Sequence, residues 1–170
     1  WISLGNFTAY DLADNGLYGT FAIYSGVMNL YQDAGQFVDI NGTVITGSSG
    51  ELNVFGGSSS SFWSWDGNAT VFMTGGVLDF KNVGINVYNS PTYSFTETIN
   101  AGIIRTPGHI SVHNTNFTPV GGTVELYSGG DAGLAMSAGN LFNVLINKSG
   151  GDGLKAGPVI ERDGSISGGK

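Results

Sequence analysis

Four aromatic residues, Trp63, Trp65, Tyr88 and Tyr93, are the side chains of this 170-residue chain whose type and spacing point most directly to a ligand. In the run FWSW at 62–65, alternation along a strand puts Phe62 and Ser64 on one face and Trp63 and Trp65 on the other, so one pair looks outward. Tyr88 and Tyr93 follow about one repeat later. An outward aromatic row on a flat sheet suits sugar rings, whose C–H faces stack on aromatic faces. The same residues can instead reach round a turn and pack into the core. These four are the candidate ligand-binding residues, with a polysaccharide as candidate ligand, and both readings stand.

Other reactive groups are sparse. His109 and His113 in HISVH share a face if that run is a strand, and could bind a metal together with a carboxylate from a neighbouring segment. No Asp or Glu lies within ten residues of the pair, so they read as surface residues and no metal site is assigned. Glycoside hydrolysis needs two clustered acids, and eliminative cleavage needs calcium beside a basic residue. Here Asp39, Glu51, Asp66, Asp79, Glu97 and Glu125 are spread out. Asp79, Arg105 and Glu125 form the best catalytic candidate, yet they read more simply as a charge ladder. No catalytic residue and no cofactor is assigned, and whether the chain is an enzyme stays open. The runs SGGDAG at 128–133 and SGGDG at 149–153 have the glycine and aspartate of calcium-binding turns but not the nine-residue repeat that defines them, and tight turns account for them. Asn6, Asn41, Asn68, Asn116 and Asn147 begin Asn-x-Ser/Thr triplets, glycan acceptors in a eukaryotic secreted protein and turn asparagines otherwise.

What positions these residues is a repeat. GVMNL at Gly26, GELNV at Gly50, GVLDF at Gly76, GIIRT at Gly102 and GTVEL at Gly122 share one pattern, and the starts are 24, 26, 26 and 20 residues apart by subtraction. A recurrence of this length marks a solenoid. With 29 glycines and no clean helical period, the coils are built from strands rather than helices. A second strand is expected at 36–40, 61–65, 84–88 and 109–113, and a third at 42–46, 69–73 and 93–99, each bounded by Gly, Asn, Asp or Ser. The predicted fold class is all-β, a right-handed parallel β-helix with about three short strands per coil of 20–29 residues, coils stacking about 4.8 Å apart. The third repeat position (Met28, Leu52, Leu78, Ile104, Val124) should face the core, and the fourth (Asn29, Asn53, Asp79, Arg105, Glu125) the solvent, with Arg105 between Asp79 and Glu125.

The expected organisation is a single β-solenoid domain over 1–170, a fragment of a longer chain: a leading coil at 1–25, five repeat coils at 26–150, and a partial coil or linker at 151–170 that holds PVIE as its strand. Only 11% of residues are charged, the net charge is -7, and six scattered Lys and Arg make no stripe that could track phosphates, so nucleic acid is excluded as a partner. No apolar run approaches the roughly 20 residues of a membrane helix, which argues against membrane insertion. The absence of cysteine leaves the redox compartment open.

The run GIIRTPGHISVHNTNFTPVGGTVELYSGG, with NLFNVLINKSGG at 140–151, resembles the repeat region of large secreted and surface proteins of Bacteroidota. There, phrases such as GGTIRT, NFTPTGGTVE and F-N-L-x-I-N-K-S recur ahead of a sorting domain of the type IX secretion pathway. The resemblance spans about 26–151. It implies a β-helix, an extracellular or cell-surface location and a longer polypeptide, and it hands over no catalytic residue. The sorting domain is not in this sequence, which leaves the export route open. Two functions follow as expectations: a non-catalytic structural or adhesive segment of a bacterial surface or fibre protein, self-associating end to end or continuing into further coils; or a carbohydrate-binding or polysaccharide-cleaving β-helix.

Overall fold

The structure is a computed structural model that describes residues 6–10, 16–32, 39–56, 60–149 and 154–156. All its regular elements are strands: β1 (Asn6–Tyr10), β2 (Gly16–Leu17), β3 (Thr20–Tyr31), β4 (Asp39–Ile40), β5 (Thr43–Phe55), β6 (Ser60–Trp63), β7 (Ala69–Phe80), β8 (Gly84–Val87), β9 (Phe95–Thr106), β10 (Ile110–Val112), β11 (Thr123–Ser128), β12 (Ala132–Met136), β13 (Val144–Lys148) and β14 (Leu154–Ala156). Odd strands make one seven-stranded sheet, sheet A, and even strands a second, sheet B, each in sequence order. Every pairing is parallel, so each pass through an odd and an even strand is one coil of a β-solenoid.

The glycine-led repeats lie directly on one another. Met28 pairs with Leu52, Leu52 with Leu78, Leu78 with Ile104 and Ile104 with Val124, and all five are buried. Opposite them, sheet B contributes Ile40, Trp63, Ile85, Val87, Ile110 and Val112, and the core lies between the sheets. Such parallel stacks cover each aliphatic side chain from above and below, which is where their hydrophobic stabilisation comes from.

One feature differs from the expected pattern. The third strand of each coil does not stop before the next repeat but runs into it, giving β5, β7 and β9 lengths of 12 to 13 residues. The three strand segments of a coil therefore share two sheets. The join is a bend marked by register shifts, between Thr46 and Glu51 and again between Met73 and Val77. The leading glycine makes this bend possible. Gly76 has φ +73°, where L side chains are strained, and a Cβ there would fall 2.3 Å from the Gly50 carbonyl oxygen. At Gly50 a Cβ would meet the Ile23 carbonyl oxygen at 1.9 Å. A glycine at this position lets successive backbones touch at the corner.

The leading segment joins the stack, since β1 pairs with β3 over Asn6↔Val27 to Tyr10↔Tyr31. Of the expected strand at 36–40, residues 36–38 lie outside the described residues, as does PVIE at 158–161; Leu154–Ala156 forms the last strand of sheet B.

Candidate functional site

The FWSW run is divided by a backbone turn. Ser64, directly after β6, has φ +58°, which breaks the strand alternation. Its backbone N–H donates to the Ile40 carbonyl and its hydroxyl to the Tyr88 carbonyl, bonds that hold the turn in place. As a result Trp63 and Trp65 do not share a face. Trp63 is 0% exposed and sits among Phe80, Phe95 and Phe117, with ring centroids 5.7, 6.0 and 6.4 Å away, so its indole is a core element and cannot stack on a sugar. Trp65 is 48% exposed. Its ring meets that of Tyr88 edge to face at 4.6 Å, and Tyr93 is also exposed. Of the four residues expected to bind a ligand, Trp65, Tyr88 and Tyr93 remain at the surface.

The same corner continues up the stack. Ile85↔Ile110 and Ile110↔Leu134 set the register, so His113 stands above Tyr88 and Ser137 above His113. His113 Nδ1 is 2.7 Å from Ser137 Oγ. His109 and His113 flank β10, and among the described residues no three His, Asp or Glu side chains gather as a metal site.

The fourth repeat position is the second candidate region, and it is not the solvent ladder expected. Asn53, Asp79 and Glu125 are buried, Asp79 to 1% exposure. Flanking positions cover them. Two residues further along each strand, on the same face, stand Tyr31, Phe55, Lys81, Pro107 and Tyr127. Tyr31 and Phe55 stack at 4.3 Å. Asp79 accepts from Tyr127 Oη at 2.9 Å, from Arg105 Nε at 2.8 Å and from Lys81 Nζ at 2.5 Å. Arg105 also reaches Glu51 at 3.9 Å and lies over the Tyr127 ring at 5.7 Å. Glu125, the other expected partner of Arg105, instead accepts from Asn147 Nδ2 at 3.0 Å. Burial, then the hydrogen bond to Asp79 and that carboxylate's charge, push the Tyr127 phenol well above its ordinary value. Sequence reasoning did not place Glu51, Lys81 and Tyr127 in this cluster; the signal was present, because each lies two residues from a member of the row.

Chemically, this cluster is a closed ion-pair network. Both Asp79 oxygens are engaged, and the two cations beside it are shared with acids. Two of the triplet asparagines are similarly occupied between coils: Asn116 Nδ2 donates to the Phe95 carbonyl and Asn68 Oδ1 accepts from the Ser94 backbone. Asn82 takes both backbone groups of Gly56, at 3.0 and 2.6 Å.

These features define a parallel β-solenoid with an aromatic corner and a networked polar face. No protein-family model, curated protein or solved structure matches the chain at a significant level.

Proposed function

We propose that the chain is a non-catalytic segment of an extended extracellular β-solenoid, a structural or adhesive element of a bacterial surface or fibre protein of the Bacteroidota kind its repeats resemble. The observation that carries this reading is the outer edge of sheet A among the described residues. β13 pairs with β11 on one side, and Phe142, Val144 and Leu145 around it are 58, 42 and 47% exposed. An apolar, parallel edge strand is a template for another strand of the same direction. Head-to-tail addition of that kind is open-ended and builds filaments rather than closed oligomers. The engagement of Asp79, Arg105 and Lys81 with one another supports a structural rather than a catalytic role for that cluster.

Light scattering with negative-stain microscopy tests the proposal. The expected result is concentration-dependent elongated particles, which Val144→Lys shortens by placing a charge on the edge. A monomer at every concentration, indifferent to that substitution, would retire the filament reading.

A second reading, carbohydrate binding, is favoured by exposed Trp65, packed against the half-buried Tyr88, and by exposed Tyr93. Stacking on aromatic faces needs no charged groups. A polysaccharide panel distinguishes the two: retention that Trp65→Ala abolishes, without new reducing ends, supports a binding role.

A further inference from the structure

The same corner, lower in the stack where the first coils pass from sheet B to sheet A, collects oxygen atoms from three successive coils. Leu17↔Ile40 and Ile40↔Trp63 set the register. Tyr18 follows Leu17, Asp39 and Asn41 flank Ile40, and Asp66 lies on the bend after β6. That bend presses on Asn41: a Cβ at Gly67 would fall 2.8 Å from the Asn41 Cβ, so only glycine lets the chain close there. Asp66 is shared by the two earlier coils. Its Oδ2 accepts from Tyr18 Oη at 3.3 Å, and its Oδ1 accepts from Asn41 Nδ2.

Asp39 is 4% exposed and Asn41 7%. The Asn41 side-chain oxygen is buried and has no hydrogen-bond partner. It is bonded to the same carbon as Nδ2, so it lies within one amide width of the Asp66 carboxylate. A carbonyl oxygen beside an anion is satisfied by a donor or by a cation. Asp39 and Asn41, two residues apart on either side of Ile40, project to the same side of the sheet.

We propose that this corner binds a divalent cation of the calcium type through the carboxylates of Asp66 and Asp39 and the side-chain oxygen of Asn41, with the Tyr18 hydroxyl beside it. The donor set is all hard oxygen, mixed in kind, and open to solvent on the Asp66 side. Calcium accepts such irregular sets and completes them with water, whereas magnesium holds out for near-octahedral geometry. Because Tyr18, Asn41 and Asp66 belong to successive coils, the ion clamps three rungs together. The site is separate from the Gly/Asp turn at 128–133.

The test uses the purified chain after chelator treatment, with terbium as probe and calcium and magnesium as competitors. Tryptophan- or tyrosine-sensitised terbium emission should saturate. Calcium should displace it at about 0.1 to 1 mM, the range of extracellular calcium modules, and magnesium far less well. Calcium should also raise Tm. Asp66→Asn, a change at an exposed bend, should weaken calcium at least tenfold while melting like the parent in chelator. Asn41→Asp, which adds a charge, should tighten it. Asp131→Asn, in the other Gly/Asp turn, should change nothing. The proposal is overturned by the absence of saturable terbium emission and of any calcium-dependent Tm rise, by parent-like binding in Asp66→Asn, or by loss of binding in Asp131→Asn.

Discussion

Leu78 and Val144 belong to the same aliphatic row of sheet A, linked through Ile104 and Val124, yet one is fully buried and the other 42% exposed. The strands that carry them differ as well: β7 has 12 residues and a bend, β13 has five. A repeat encodes which side chains point inward. Whether they are covered depends on a coil lying on each side, so stability in a stack is a nearest-neighbour property. The middle of the stack should therefore respond to substitution much more strongly than its last rung.

Gly76→Ala tests the middle most severely. The new methyl meets two carbonyl oxygens at 2.3 and 2.4 Å in a strained backbone region, and a loss of about 4 kcal/mol or more is expected in urea titration. Leu78→Ala should cost about 3 kcal/mol through lost burial and a residual cavity. Asp79→Ala, which leaves Arg105, Lys81 and the Tyr127 hydroxyl without their shared acceptor, should cost about 2 kcal/mol. Tyr127→Phe should alter the pH profile more than neutral stability. The phenol is raised in the folded state, so its contribution is complete below its ordinary value of 10.0 and is lost as pH rises through and beyond it. Melting curves from pH 8 to 11 should fall more steeply for the parent than for the variant. Val144→Ala should change stability by less than about 0.5 kcal/mol. If it costs as much as Leu78→Ala, the contrast between middle and end is wrong.

The stacking was legible because five glycine-led segments carry the same inward pair, and a period of two fixes what each position faces. Three things were not. Ser64 in a left-handed turn looks like any serine in a strand, so the separation of Trp63 from Trp65 had no local mark. The burial of Asp79 depends on Tyr127, which lies 48 residues away and arrives only when the coils stack. The joining of third and first strands was also hidden. GSSG at 47–50 has turn composition, and only the contact between successive backbones shows that it bends the chain without ending its ladder. Glu51, Lys81 and Tyr127 could have been found by applying same-face spacing outward from the polar row as well as along it.

Because every rung adds its backbone hydrogen bonds parallel to the long axis, a tensile load between the two ends acts on the rungs in series. Yield is then set by the weakest link and not by the sum. In the interior of sheet A the shortest ladder is that of β11 on β9, from Thr123 to Leu126. A molecule built this way resists sideways shear across its long strands and parts first at that joint when drawn lengthwise.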